Sequence, residues 1–249
     1  MMVSKSAIIP QISENSNIAF GEMINVEVQD NLKMIGRQFV PISILINRGA
    51  TVVTGANMGG KSVVLKTLGL NVALAMLGWP VFAKSAVLPL IQNIHCIGTD
   101  NSTYKIGLSS FRKEMHDLIE AIKELESGTL LLIDGPARGT NPEEGSAIVK
   151  GVVKYLSESD AFSVVTTHYD GVSALVDCHY KVLGIRNTAV FQDTLNHTDK
   201  FDCSIFDRYM CYGLCEENTD SSVSREAIAV CRLLGMPQKI IDNIISSMI

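Results

Sequence analysis

Eight consecutive residues, Gly55-Ala-Asn-Met-Gly-Gly-Lys-Ser62, have the types and spacing that cradle a phosphate. Gly55, Gly59 and Gly60 let the backbone curl so that successive N–H groups point inward, and a helix starting near Lys61 offers its positive end to an anion. In such a loop Lys61 reaches the β and γ phosphates and the Ser62 hydroxyl ligates Mg²⁺. The metal's water shell must also be held from the far side by a carboxylate at the tip of a neighbouring strand. Leu130-Leu-Leu-Ile-Asp134 supplies one in Asp134, a position that a plain turn-capping aspartate also fits.

The elements that must position these groups follow from the hydrophobic pattern. Residues 50–54 (ATVVT), 129–134 (TLLLID) and 161–167 (AFSVVTT) read as buried strands, and 61–77, 109–126 and 145–157 as helices. Strands apolar on both faces and separated by helices predict a three-layer α/β phosphate-loop NTPase core with a mostly parallel sheet. Alternation in MINVEV and ISILIN predicts a β flap on the N-terminal side, and HYKVLGI and TAVFQD a hairpin edge. Ser224 starts a helix that runs to Leu234 and stops at Gly235. A second helix follows Pro237, with Ile240, Ile241, Ile244, Ile245 and Met248 as one stripe. The expected division is a flap over 1–47 that contributes to the nucleotide site, an ATPase core over 48–223 and a helical dimerisation segment over 224–249. Packing back onto the chain's own core is the simpler explanation of the apolar stripe, and a dimer contact the alternative.

Composition limits the rest. With 249 residues and 47% apolar content the chain can bury a sizeable core. Its formal charge of −5 leaves no basic surplus for holding a nucleic-acid backbone unaided. The longest apolar run, 63–83, is interrupted by Lys66, Asn71 and Pro80, so no membrane span is expected. Six cysteines without a regular framework predict reduced thiols in a cytoplasmic protein. His197, Cys203, Cys211 and Cys215 invite a zinc reading, but their intervals match no common finger, and scattered thiols are favoured.

Four segments, in order, resemble the ATPase domain of MutS-like proteins, relatives of the ABC ATPases. TGANMGGKS resembles the family's TGPNMGGKS/T with Ala56 in place of Pro, and GLSSFRKEM (107–115) its signature helix. LLIDGPARGT (131–140) resembles L-x-D-E-x-G-R-G-T, and TTHY (166–169) the A-T-H-Y switch. The similarity spans roughly 38–240. It implies ATP with Mg²⁺ bound by Gly55, Asn57, Met58, Gly59, Gly60, Lys61 and Ser62, with Phe39 stacking on adenine and Ser62 and Asp134 serving the metal. It further implies that Ser109 faces the γ phosphate of a neighbouring subunit's nucleotide, although an N-cap serine fits the same position. His168 becomes a γ-phosphate sensor, acting with Lys61 and Asp134 in catalysis. Arg138, Gly139, Thr140 and Asn141 become a loop crossing the interface of a homodimer or of a heterodimer with a related subunit.

One departure matters. The family's Glu after the strand aspartate polarises the attacking water, and here Gly135 stands in its place. Glu143 and Glu144 could replace it only by folding back. The expectation is an ATPase that binds nucleotide far better than it hydrolyses it, or one completed by a partner. Fewer than 55 residues precede the phosphate loop, so the chain reads as an excised domain or a small relative, with DNA a ligand only within a larger chain. PARGTNPEEG and VSREAIAVCRLLGMP resemble the MutS-like subunits that reactivate cobalamin-dependent aminomutases. The resemblance therefore implies a dimeric switch remodelling a partner enzyme. The alternatives are the ATPase domain of a DNA mismatch repair protein and a non-catalytic nucleotide-binding module.

Overall fold

The computed structural model describes residues 7–14, 16–55, 60–98, 110–184, 211–217, 228, 231–232 and 235–247. Its main sheet has six strands: β4 (Gly49–Thr54), β6 (Asn93–Ile97), β7 (Thr129–Asp134), β8 (Phe162–Thr166), β9 (Cys178–Val182) and β10 (Leu214–Glu216). They lie in the order β10-β9-β4-β8-β7-β6, parallel throughout except for β10 at the edge. Alternate residues of the central strands feed two cores. Val53, Leu130, Leu132 and Val164 enter one, and Val52, Leu131, Ile133 and Val165 the other. Burial on both faces is why these strands read as unbroken apolar runs.

Helix α2 (Lys61–Met76) covers the first face together with a second sheet. That sheet has the order β1-β5-β2-β3, built from β1 (Gln11–Ile12), β2 (Ile18–Met23), β3 (Ile42–Ile46) and β5 (Ser85–Leu88). Helices α3 (Ser110–Lys123) and α4 (Pro142–Ser157) pack on the opposite face, and α5 (Gln238–Ser246) ends the described chain. The result is the expected α/β core with a mostly parallel sheet. Among the described residues no helix is long and apolar enough to cross a membrane.

The N-terminal region differs from the alternation reading in two respects. ISILI is strand β3, but the second half of MINVEV begins helix α1 (Val26–Met34). Asn25 caps it, accepting a bond from the Val28 amide at 3.2 Å. Five alternating residues are too few to separate a strand from a capped first turn. The sheet is also not confined to the first 47 residues, because β5, after α2, inserts between β1 and β2. HYKV forms β9, whose outer neighbour is β10; TAVFQD lies outside the described residues. Gly235 ends a turn at φ +78°, and on α5 Ile241 is buried while Ile240 and Ile245 are exposed. Met248 and most of the helix expected over 224–234 also lie outside the described residues.

Asn71 ties the layers together. Fully buried in α2, it donates to the Ile24 carbonyl at 3.2 Å and to Thr67 O at 2.9 Å, and accepts from the Phe82 amide at 2.7 Å. These bonds fix the helix to the segments flanking the small sheet, so one polar residue interrupts an otherwise apolar run. Asn71→Leu removes the side-chain partners of the buried Ile24 carbonyl and Phe82 amide, at a cost of about 1–3 kcal/mol for each one not rescued by water. Equilibrium urea unfolding should show a lower midpoint for this variant than for wild type, and an equal midpoint would refute the tie.

Candidate functional site

Strand register brings the phosphate loop and Asp134 to one end of the sheet. Val53 of β4 lies opposite Thr166 of β8, which lies opposite Asp134 of β7. The loop and the carboxylate are therefore two strand spacings apart, roughly 10 Å. Between them the Thr166 hydroxyl donates to Asp134 Oδ1 at 2.8 Å and accepts from the Gly135 amide at 2.8 Å. Thr166, which TTHY pointed to only as the lead-in to His168, sets the carboxylate's orientation.

Gly55 leaves β4 at φ +136°, and a Cβ there would meet the Val182 carbonyl at 2.9 Å, so the turn requires glycine. Gly60 is the N-cap of α2 with φ +97° and no capping side chain. Helices α1 and α4, by contrast, are capped by Asn25 and Asn141. The orphan amides of α2 are thus left for an anion. Lys61, only 4% exposed, donates from Nζ to the carbonyl of Gly55, the residue that leaves β4. Ser62 follows half-buried in the first turn. A buried ammonium, an uncapped helix start with a hydroxyl in its first turn, and a strand-end carboxylate at the same end of the sheet are the donor set a magnesium-bound phosphate needs. Asn57, Met58, Gly59 and Ser109 lie outside the described residues.

His168 follows β8, its ring 4.4 Å from that of Tyr169. Partial burial pushes its pKa below the ordinary imidazole value, and the charges of Lys61 and Arg138 push the same way. Lys61 and Arg138 thus both bear on the His168 ring. Arg138 folds back inside its own chain, with Nη2 3.4 Å from Asp134 Oδ1. The rest of its loop is anchored from two sides, because the Ala137 amide donates to Glu114 of α3 at 2.8 Å and its carbonyl accepts from the Tyr169 hydroxyl at 3.2 Å. Burial raises the Glu114 pKa, opposed by that amide and by Arg138. Gly139 packs against Phe111, the Thr140 hydroxyl reaches Glu144 at 3.2 Å, and Asn141 caps α4 through the Glu143 amide at 2.9 Å. Glu144 is thus engaged at the start of α4 rather than at position 135.

Phe39 belongs to the core and also lines a cavity of about 200 Å³ with Val28, Leu32, Val63 and Tyr212, beside Gly60. Tyr212 had no signal in the sequence. It reaches the cavity because β10 pairs with β9, which pairs with β4. A second cavity of about 440 Å³ lies between the small sheet and the β9–β10 edge, and its lining includes none of the phosphate-site residues. Among the described residues no cluster of His, Cys, Asp and Glu could hold a metal by itself, and Cys96, Cys178, Cys211, Cys215 and Cys231 are free thiols. His197 and Cys203 lie outside the described residues.

Residues 51–248 match the family model of MutS domain V. Among curated relatives, an Endonuclease MutS2 of Aquifex aeolicus is 34% identical over 163 residues, 64% of this chain and 21% of the relative. That of Caldanaerobacter subterraneus is 31% identical over 209 residues, 82% of this chain and 24% of the relative. That of Caldicellulosiruptor saccharolyticus is 40% identical over 134 residues, 52% of this chain and 17% of the relative. The chain spans about a fifth of the length of the relatives it matches.

The environment of His168 carries a signed pH dependence. Because its folded pKa is depressed, the unfolded chain binds the proton first, and stability present above the ordinary value of 6.5 is lost as pH falls through it toward the folded value. Urea midpoints measured at about pH 7.5 and about pH 5.5 should fall further for wild type than for His168→Gln. Parallel falls would show that other groups carry the dependence.

Proposed function

The chain belongs to the MutS domain V family, and on that premise we propose that it is an ATP-binding switch that holds nucleotide far better than it cleaves it. The observation that carries this reading is the pairing of a phosphate-type loop, with buried Lys61, to Asp134 across β8, next to a glycine where a water-polarising carboxylate would stand. In this reading the N–H groups of the loop and the start of α2 hold the phosphates, and Lys61 neutralises the β and γ oxygens. Ser62 and Asp134 hold Mg²⁺, which when bound supplies charge neutralisation to the same oxygens. Thr166 keeps Asp134 aimed at the loop. The base enters the cavity between Phe39 and Tyr212, and His168 registers the terminal phosphate. A second copy of the chain, or a related subunit, covers the site with Ser109 and with the loop at 139–141.

Dimer closure driven by ATP then does work on a partner. The wording of 136–145 and 223–237 supports reactivation of a cobalamin-dependent aminomutase. The relatives' name, endonuclease, supports instead an ATPase module within a protein that acts on DNA. Two assays separate these uses. A reactivase restores aminomutase turnover only with ATP, whereas a DNA-acting module gives salt-dependent anisotropy changes with labelled duplex.

Gly135→Glu tests the switch itself. The φ of +58° at this position costs a side chain about 1–2 kcal/mol, a loss that urea unfolding will register. Steady-state phosphate release should nevertheless rise at least about tenfold in kcat, since a general base contributes ~10² to 10⁴. No increase in a folded variant, or rapid turnover by wild type, refutes the weakly hydrolytic reading.

A further inference from the structure

The space beside Gly135 is filled by another residue of the same chain. A Cβ built on Gly135 would overlap Nη2, Nε and Cζ of Arg138, so the guanidinium lies flat against the glycine, in the volume where any side chain at 135 would begin. This arrangement needs glycine twice over, for that space and for the φ of +58°. From there Arg138 reaches the carboxylate oxygen that Thr166 also holds, at 3.4 Å. The side chain is 52% exposed, and among the described residues its tip is held by this one long ion pair, so it can change partners.

The charges around it point to what it next binds. Arg138 is a permanent cation with its tip on the Asp134 carboxylate, and it and Lys61 both bear on the imidazole of His168. Once Asp134 is committed to a metal, the guanidinium loses its anion. The nearest new one is the phosphate that the metal brings, and a planar fork matches two phosphate oxygens. We propose that Arg138 recognises the terminal phosphate of a nucleoside triphosphate within its own chain. In the empty chain it neutralises Asp134, and with triphosphate it turns to the γ oxygens. A diphosphate offers no such oxygens and leaves Arg138 on Asp134. The position that would activate water thus carries a phosphate-binding cation, which makes the pocket selective for triphosphate over diphosphate.

The inference rests on the nucleotide-binding reading above, and one titration series separates the two. Affinities for ADP and for the non-hydrolysable triphosphate AMP-PNP, each with Mg²⁺, are measured by calorimetry on wild type, Arg138→Gln, Arg138→Lys and Lys61→Ala. Arg138→Gln should lose about tenfold to hundredfold in AMP-PNP affinity with ADP unchanged. Arg138→Lys, which keeps the charge without the fork, should lose less. Equal losses for both nucleotides, or none for either, overturn the assignment of Arg138 while the phosphate loop stands, provided Lys61→Ala loses both ligands. Failure of wild type to bind either nucleotide overturns the underlying reading and this inference with it.

Discussion

A single threonine hydroxyl holds the site in register. Thr166 stands on the strand between the phosphate loop and Asp134, and its oxygen joins the carboxylate to the amide of the next residue. Parallel pairing places Val53, Thr166 and Asp134 side by side, so a slip of one residue in β8 would turn this hydroxyl to the other face of the sheet. The doubly buried faces of β4, β7 and β8 prevent that slip, because each face carries its own apolar set. Packing at the centre of the sheet thereby becomes geometry at its edge.

Much of the core was legible because its physics is local. Buried parallel strands are apolar without alternation, which exposed β4, β7 and β8. The start of α2 was marked by glycines followed by Lys61. Features that depend on distant partners were not legible. Strands β5 and β6 are short and mixed in polarity, and β10 is recognisable only by its pairing with β9. Tyr212 reaches the cavity of Phe39 through that pairing, and Glu114 reaches the Ala137 amide across the packing of α3. Helix α1 was hidden by an alternation too brief to specify a strand.

Two glycines show how the same residue type serves different ends. At Gly55 the backbone approaches Val182 so closely that no side chain fits, and the constraint belongs to the fold. At Gly135 the neighbour is the far end of a flexible side chain, so the constraint belongs to Arg138 and to what it touches. The sequence shows both as departures from bulk. Only the structure shows that one is sealed by backbone and the other by a group that can leave.

The bonds of Asn71 reach beyond stability. They lock the middle of α2 to the backbone at Ile24 and Phe82, on either side of the sheet that precedes and follows the helix. The cavity that Phe39 lines also touches Gly60, the N-cap of that helix, so the same tie bears on the frame around the cavity. In the proposed nucleotide site, that frame would make the pocket a gauge of length as well as of charge.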